Sequence, residues 1–186
     1  MLRRVVFLDR DGVINRDSPD YIKSWSEFEF ISRSLEAIRD LTRAGFTIII
    51  ITNQSAIARK LISLPELEHI HSRMKAAVES KGGKINDIFI CPHSPSDGCA
   101  CRKPSPRLIF QAQRTYDIDL AASVMIGDSD RDIHCALDAG CGKTILVRTG
   151  NGKAAEHILA EAGFTTDYVA KDLYEAARWL LRCKSE

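Results

Sequence analysis

The sequence predicts an α/β domain of three layers, with a Rossmann-like parallel sheet between two layers of helices. Three features point there. Short, continuous apolar runs alternate with amphipathic stretches along the chain. The runs have the length and β-branched content of strands covered on both faces. Capping and glycine signals separate one kind of segment from the other. Strand and helix alternating at this period imply right-handed βαβ crossovers.

Val5 to Leu8 reads as the first strand, and Leu35, Ile38 and Leu41 then share one helical face that Gly45 ends. Thr47 to Ile51 follows as the second strand. Ser63-x-x-Glu66 is a capping box with Pro65 in the first turn, opening a helix through Leu67, Ile70, Met74 and Val78 that stops at Gly82-Gly83. Ile85 to Ile90 is the third strand. Ser105-Pro106 starts a helix through Leu108, Ile109 and Ala112; Val124 to Ile126 is a strand; and Gly140 stops a helix carrying Ile133 and Leu137. Thr144 to Val147 is the last predicted strand, and Leu173 to Leu181 a closing helix. No repeat or low-complexity linker interrupts the pattern, so residues 1–186 are expected to form one domain.

Composition narrows the function. With 186 residues, 45% of them hydrophobic, the chain fills one sizeable core. Its 26 Lys and Arg against 25 Asp and Glu give a net charge of +1, too little field to hold a nucleic acid or an anionic membrane. Asp9 and Asp11 break the first apolar run well short of a signal peptide, and no stretch approaches the roughly 20 apolar residues of a membrane span. A cytoplasmic monomer acting on a small molecule is expected.

Polar residues cluster where strands end, the place where open α/β sheets bind ligands. Phe7-Leu8 runs into Asp9-Arg10-Asp11-Gly12; the second strand ends in Thr52-Asn53-Gln54-Ser55; Val124 to Ile126 ends in Gly127-Asp128-Ser129-Asp130-Arg131-Asp132. Each taken alone also suits an ordinary polar loop or helix cap. Arg102-Lys103-Pro104 follows the third strand. A carboxylate can attack phosphorus, provided a divalent cation and fixed donors neutralise the charge that develops. A second cluster precedes Lys103: Cys91, His93, Cys99 and Cys101, three thiols and an imidazole, match a closed tetrahedral Cys₃His zinc site. A disulfide within it is the alternative. Six cysteines without an export signal favour metal ligation there and reduced thiols elsewhere.

Asp9-x-Asp11, Thr52, Lys103 and Asp128 with Asp132 resemble, in order, the four motifs of the haloacid dehalogenase superfamily of phosphohydrolases. The resemblance implies that Asp9 is the nucleophile, that Asp11 is the acid and then the base, and that Thr52 and Lys103 hold the phosphoryl oxygens. It also implies a Mg²⁺ ion on Asp9, Asp128 and the Asp11 carbonyl. Asp132 would orient Lys103 or a metal-bound water, and reads equally as a first-turn helix residue.

DRDGVIN, TNQS, CPH followed by CxCRKP, and GDSDRD together resemble a zinc-containing, capless branch of that superfamily over roughly residues 5 to 150. Members act on small phosphorylated metabolites. The resemblance implies removal of the 7-phosphate of a heptose 1,7-bisphosphate, toward lipopolysaccharide-core or related surface-sugar precursors, with histidinol phosphate as the alternative substrate and a non-catalytic zinc module as the alternative class. It places Asp17 to Tyr21 over the sugar, Asn53, Gln54 and Ser55 beside the phosphate, and Arg102 on the substrate. Ser129 joins these substrate-binding residues at a position where heptose phosphatases commonly carry Lys. Arg59 and Arg131 fit solvated helix-face charges better than anion sites. His69, His71, His134 and His157 read as surface or core histidines, Trp25 and Trp179 as packing residues, and Cys135, Cys141 and Cys183 as small buried hydrophobes.

Overall fold

A computed structural model describes residues 3–183. Six parallel strands form one sheet: β1 (Val5–Leu8), β2 (Thr47–Asn53), β3 (Asp87–Cys91), β4 (Val124–Gly127), β5 (Lys143–Val147) and β6 (Tyr168–Ala170). Their order is β3-β2-β1-β4-β5-β6. Chain direction across the sheet therefore reverses between β1 and β4, the crevice that α/β sheets use for ligands.

Six helices cover the faces: α1 (Ser34–Arg43), α2 (Leu64–Ser80), α3 (Arg107–Tyr116), α4 (Asp130–Ala139), α5 (Gly152–Glu161) and α6 (Leu173–Arg182). One core layer joins Val6, Leu8, Ile48 and Ile50 to α1, α2 and α6; the other joins Val5, Phe7, Ile49 and Ile51 to α3 and α4. The alternation of side chains along β1 and β2 is what feeds both layers. Beyond these elements the described residues hold two single 3₁₀ turns, Trp25–Glu27 and Pro95–Asp97.

The predicted caps are present. Ser63 accepts from the Glu66 N–H while Glu66 bonds back to Ser63, and Gly45 and Gly140 take positive φ at helix ends. Differences from the sequence expectation have physical causes. β3 starts at Asp87, later than expected, and lies at a sheet edge with most of its residues only half-buried. α5 and β6 escape the pattern because their apolar residues are few: α5 buries Ala155 and Leu159, and β6 spans three residues. Leu137 is 41% exposed on the outer face of α4, and Cys183 is exposed at the end of α6, so it is no buried hydrophobe. Trp25 and Trp179 pack as expected, stacked on Phe28 and Tyr168. No helix among the described residues is long and apolar enough to cross a membrane.

Candidate active site

A cleft of about 260 Å³ opens at the C-terminal ends of β1, β2 and β4. Asp9, Asp11, Thr52, Lys103 and Asp128 all line it. Asp9 follows β1 directly, and its N–H donates to the Ile126 carbonyl of β4, so the nucleophile candidate sits at the switch point itself. Its Oδ1 accepts from the Arg10 N–H at 2.7 Å and pairs with Lys103 Nζ at 3.0 Å, which leaves Oδ2 as the oxygen available to a reacting partner.

Lys103 is 2% exposed and fully spent on this site. Its Nζ lies 2.6 Å from Asp132 Oδ1 and donates to the Ile51 carbonyl at 2.8 Å. Burial works against its charge, but Asp132 and then Asp9 outweigh burial and hold the ammonium well above the ordinary lysine value. Asn53 clamps its backbone, accepting from the Lys103 N–H at 3.1 Å and donating to its carbonyl at 3.3 Å. Asp132 is completely buried, and its other oxygen accepts from the Asp128 N–H, the Ser129 N–H and the Ser129 hydroxyl. Both Asp132 oxygens are therefore committed, which makes it an organiser of the β4 loop and of Lys103.

Asp128 faces Asp9 across the crevice, and its Oδ2 accepts from the Asn151 N–H at 2.8 Å. Gly12 and Gly150 press on it with positive φ, and a Cβ at either would run into Oδ2. Three carboxylates lie close enough to share one cation, and the Lys103 ammonium offsets only one of their three charges. Burial, then repulsion by Asp132 and Asp9, pushes Asp128 up to about 8; burial also lifts Asp9, to about 6, with Lys103 pulling the other way. Hard oxygen donors crowded until they resist ionisation are what a small divalent cation relieves. Asp9 and Asp128 are the pair left to hold it, since Asp132 is fully engaged.

Asp11 is held differently. Arg10 bonds both of its oxygens from Nη2 at 2.9 Å, Asn15 Nδ2 donates at 2.8 Å and Gln54 Nε2 at 2.9 Å. Burial opposes its ionisation, yet Arg10 and these donors prevail and keep the carboxyl below its usual value. Gln54 Nε2 also donates to Thr52 Oγ1 at 2.9 Å, tying the acid–base candidate to the strand-end hydroxyl.

The expected substrate residues Asp17, Tyr21, Ser55, Arg102 and Ser129 line the same cleft. Arg102 Nη1 donates to Ser55 Oγ at 2.8 Å and to the His93 carbonyl at 3.1 Å. Arg59 and Arg131 also line the cleft. Both stay exposed, Arg131 in the first turn of α4, as the helix-face reading expects, and Arg59 in the turns after β2. Two residues were not anticipated. Asn151 bridges Asp128 to Asp17 Oδ2, at 3.0 Å, from a loop with no sequence signal beyond its glycines. His71 touches Arg10, and its place beside Ile70 on the buried face of α2 was the available clue.

The second predicted cluster also assembles. Cys91, His93, Cys99 and Cys101 converge. Cys101 Sγ lies 3.0 Å from Cys91 Sγ, 3.7 Å from Cys99 Sγ and 3.3 Å from His93 Nδ1. Cys91 Sγ lies 3.5 Å from Cys99 Sγ and 3.7 Å from His93 Nδ1. These separations far exceed the ~2.05 Å of a disulfide. They approach the roughly 3.5–3.8 Å edges of a tetrahedron built on Zn–S and Zn–N bonds.

Comparison with known proteins agrees with this geometry. Residues 100–176 match the HAD-hydrolase-like family model. D-glycero-beta-D-manno-heptose-1,7-bisphosphate 7-phosphatase of Bordetella bronchiseptica is 44% identical over 96% of this chain and 98% of its own. The enzyme of that name from Pseudomonas aeruginosa is 45% identical over 82% of this chain and 85% of its own. The crystal structure of the B. bronchiseptica D,D-heptose 1,7-bisphosphate phosphatase, complexed with magnesium and phosphate, superposes with a TM-score of 0.89 over 96% of this chain and 98% of that one.

Proposed function

This chain belongs to the D-glycero-D-manno-heptose-1,7-bisphosphate 7-phosphatase family of HAD-like hydrolases, and we propose that its cleft removes the 7-phosphate of a heptose 1,7-bisphosphate through an aspartyl-phosphate on Asp9. The observation that carries this is the convergence of Asp9, Asp11, Thr52, Lys103 and Asp128 at one switch point.

Asp9 Oδ2 attacks phosphorus while Lys103 and the Arg10 N–H hold Oδ1. Arg10 keeps Asp11 ionised in the free site, and the negative charge of a bound phosphoryl group favours its protonation from solvent; as the bond from phosphorus to the C7 oxygen breaks, Asp11 passes that proton to the oxygen. Asp11, now ionised and held so by Arg10, Asn15 and Gln54, takes a proton from water as the water oxygen attacks the phosphorus of the acyl phosphate. Asp9 is released as carboxylate with inorganic phosphate, and Asp11 ends protonated. Thr52 donates to a phosphoryl oxygen, and Lys103 neutralises the charge gathered there. Asp9, Asp128 and the Asp11 carbonyl suit Mg²⁺, which when bound supplies the positive charge that lets one anion approach another.

Arg102 lines the cleft and would hold the phosphate that stays behind, with Asp17, Tyr21 and Ser129 around the sugar. Phosphate release from heptose 1,7-bisphosphate and from histidinol phosphate, compared in parallel, tests the substrate. We expect at least about a hundredfold preference for the bisphosphate in kcat/KM, roughly 2.7 kcal/mol of discrimination. Arg102→Ala should remove most of it; a preference for histidinol phosphate would overturn the substrate reading.

Cys91, His93, Cys99 and Cys101 suit a structural Zn²⁺, since four protein ligands leave no open position. The ion would fix the loop that delivers Arg102 and Lys103. Metal analysis of the purified protein should find about one zinc per chain. Cys101→Ser should lose it, melt at lower temperature and turn over more slowly, because Lys103 lies two residues away. Full zinc retention in that variant would remove Cys101 from the ligand set.

A further inference from the structure

Arg10 is 1% exposed, a cation buried as deeply as the core aliphatics. It spends Nε and Nη2 on Asp11, at 3.2 and 2.9 Å. The remaining arm, Nη1, points away from Asp11 to His71 Nε2 at 3.0 Å. A guanidinium only donates, so Nε2 accepts and the imidazole is neutral with its proton on Nδ1. Burial, then the charge of Arg10, agrees with that state by pushing His71 down to about 3. His71 belongs to α2, between Leu67 and Met74 on its buried face, and its only role in packing would not require a nitrogen aimed at Arg10.

We propose that His71 is a positioning residue for proton transfer: its Nε2 anchors Arg10 to α2, and Arg10 so anchored aims Asp11 at the leaving oxygen. This rests on the reading of Asp11 as acid and base. Arg10 has three donor nitrogens and two partners that fix its plane. Without an acceptor at Nη1 the buried guanidinium must turn to find another, and the carboxylate it grips in two places turns with it.

The consequence is specific to the leaving group. An alkoxide leaves a sugar phosphate only with a proton delivered to it, whereas p-nitrophenolate leaves without one. Misplacing Asp11 should slow phosphoryl transfer from the sugar phosphate and spare transfer from the aryl ester, whereas hydrolysis of the aspartyl-phosphate, in which Asp11 is the base, should slow alike on both. Loss of packing, of the metal or of the nucleophile would slow both.

The experiment compares wild type, His71→Leu, His71→Gln and Asp11→Asn, each loaded with Mg²⁺ and zinc, on heptose 1,7-bisphosphate and on p-nitrophenyl phosphate. His71→Leu should lose roughly 10- to 100-fold in kcat on the bisphosphate with little change in KM, and stay within about threefold in p-nitrophenolate release from the aryl ester measured in a single turnover with enzyme in excess. His71→Gln, whose amide oxygen can accept from Arg10, should recover most of the loss. Asp11→Asn should show the same leaving-group pattern more strongly in the single turnover, with steady-state turnover lost on both substrates.

Equal single-turnover losses on both substrates, no loss, or a glutamine variant as poor as leucine would overturn the role of His71. If Asp11→Asn shows the pattern and His71→Leu does not, only the role of His71 falls. If Asp11→Asn lacks the pattern, the acid–base reading falls and this inference with it. Should His71→Leu fail to fold, His71→Asn takes its place, with a polar side chain too short for Arg10. The split between kcat and KM and the glutamine rescue decide the matter on the bisphosphate alone if the aryl ester turns over slowly.

Discussion

Asp9→Asn is expected to abolish turnover while leaving the fold as stable as before, or more so. The amide has nearly the volume of the carboxylate, and Lys103 keeps its 2.6 Å pair with Asp132. What disappears is a negative charge that burial already disfavours and that repels Asp132 and Asp11. Stability and activity should therefore move in opposite directions, which separates a chemical defect from a folding defect. The loss should be on the order of 10⁴-fold or more, the scale at which removing a nucleophile acts. Acid quench of wild type during turnover of phosphorus-labelled substrate should trap label on the protein, and the variant should trap none. Residual activity within about tenfold of wild type, with Tm unchanged, would mean that another group attacks phosphorus.

The convergence of the proposed catalytic residues was legible because strand-end chemistry is local. Asp9 and Asp11 stand two apart after a buried strand, Thr52 ends the next strand, and the Gly127 to Asp132 turn follows a third. A parallel sheet with the switch beside β1 then brings them together without further information. The zinc-type cluster was legible for the same reason: its ligands lie within eleven positions on one loop. What stayed hidden depends on contacts between distant elements. Arg59 and Arg131 are exposed charges that also border the cleft, which only the assembled sheet shows. Asn151 reaches Asp128 and Asp17 from the loop before α5, across separations of 23 and 134 residues. His71 reaches Arg10 across 61. No periodicity encodes such pairs. Asn53 and Gln54 were read as neighbours of the phosphate, and they line the cleft, but their hydrogen bonds go to Lys103, Asp11 and Thr52. They hold the machinery in place from beside it.

Lys103→Met should damage stability and catalysis together, with a pH dependence that identifies the cause. Methionine fills similar volume, so the cavity cost is small. The lost ammonium leaves Asp9 and Asp132 without their cation in a site where Asp132 has no exposure at all. Breaking a buried pair in this way costs about 3–5 kcal/mol at neutral pH. The carboxyls of this site are raised in the folded protein, Asp9 to about 6 and Asp128 to about 8 even with Lys103 present. An acid whose folded pKa is raised contributes stability that is complete below its unfolded value, about 4, and is lost as the pH climbs through the shifted value. In Mg²⁺-free protein the gap between wild type and Lys103→Met should accordingly be small near pH 5 and widest near pH 8. Adding Mg²⁺ at pH 8 should narrow it, because a divalent cation on Asp9 and Asp128 replaces part of the missing charge. Turnover should not return with it. Lys103 Nζ also fixes Asp9 Oδ1 and sets its positive charge beside the carboxylate proposed to react, so a loss of roughly 10²- to 10³-fold in kcat should persist at saturating Mg²⁺. Thermal denaturation at several pH values, with and without Mg²⁺, reads the first half of this expectation and steady-state kinetics the second. A variant that melts with wild type at pH 8 would show that Lys103 does not carry the charge balance of the cleft.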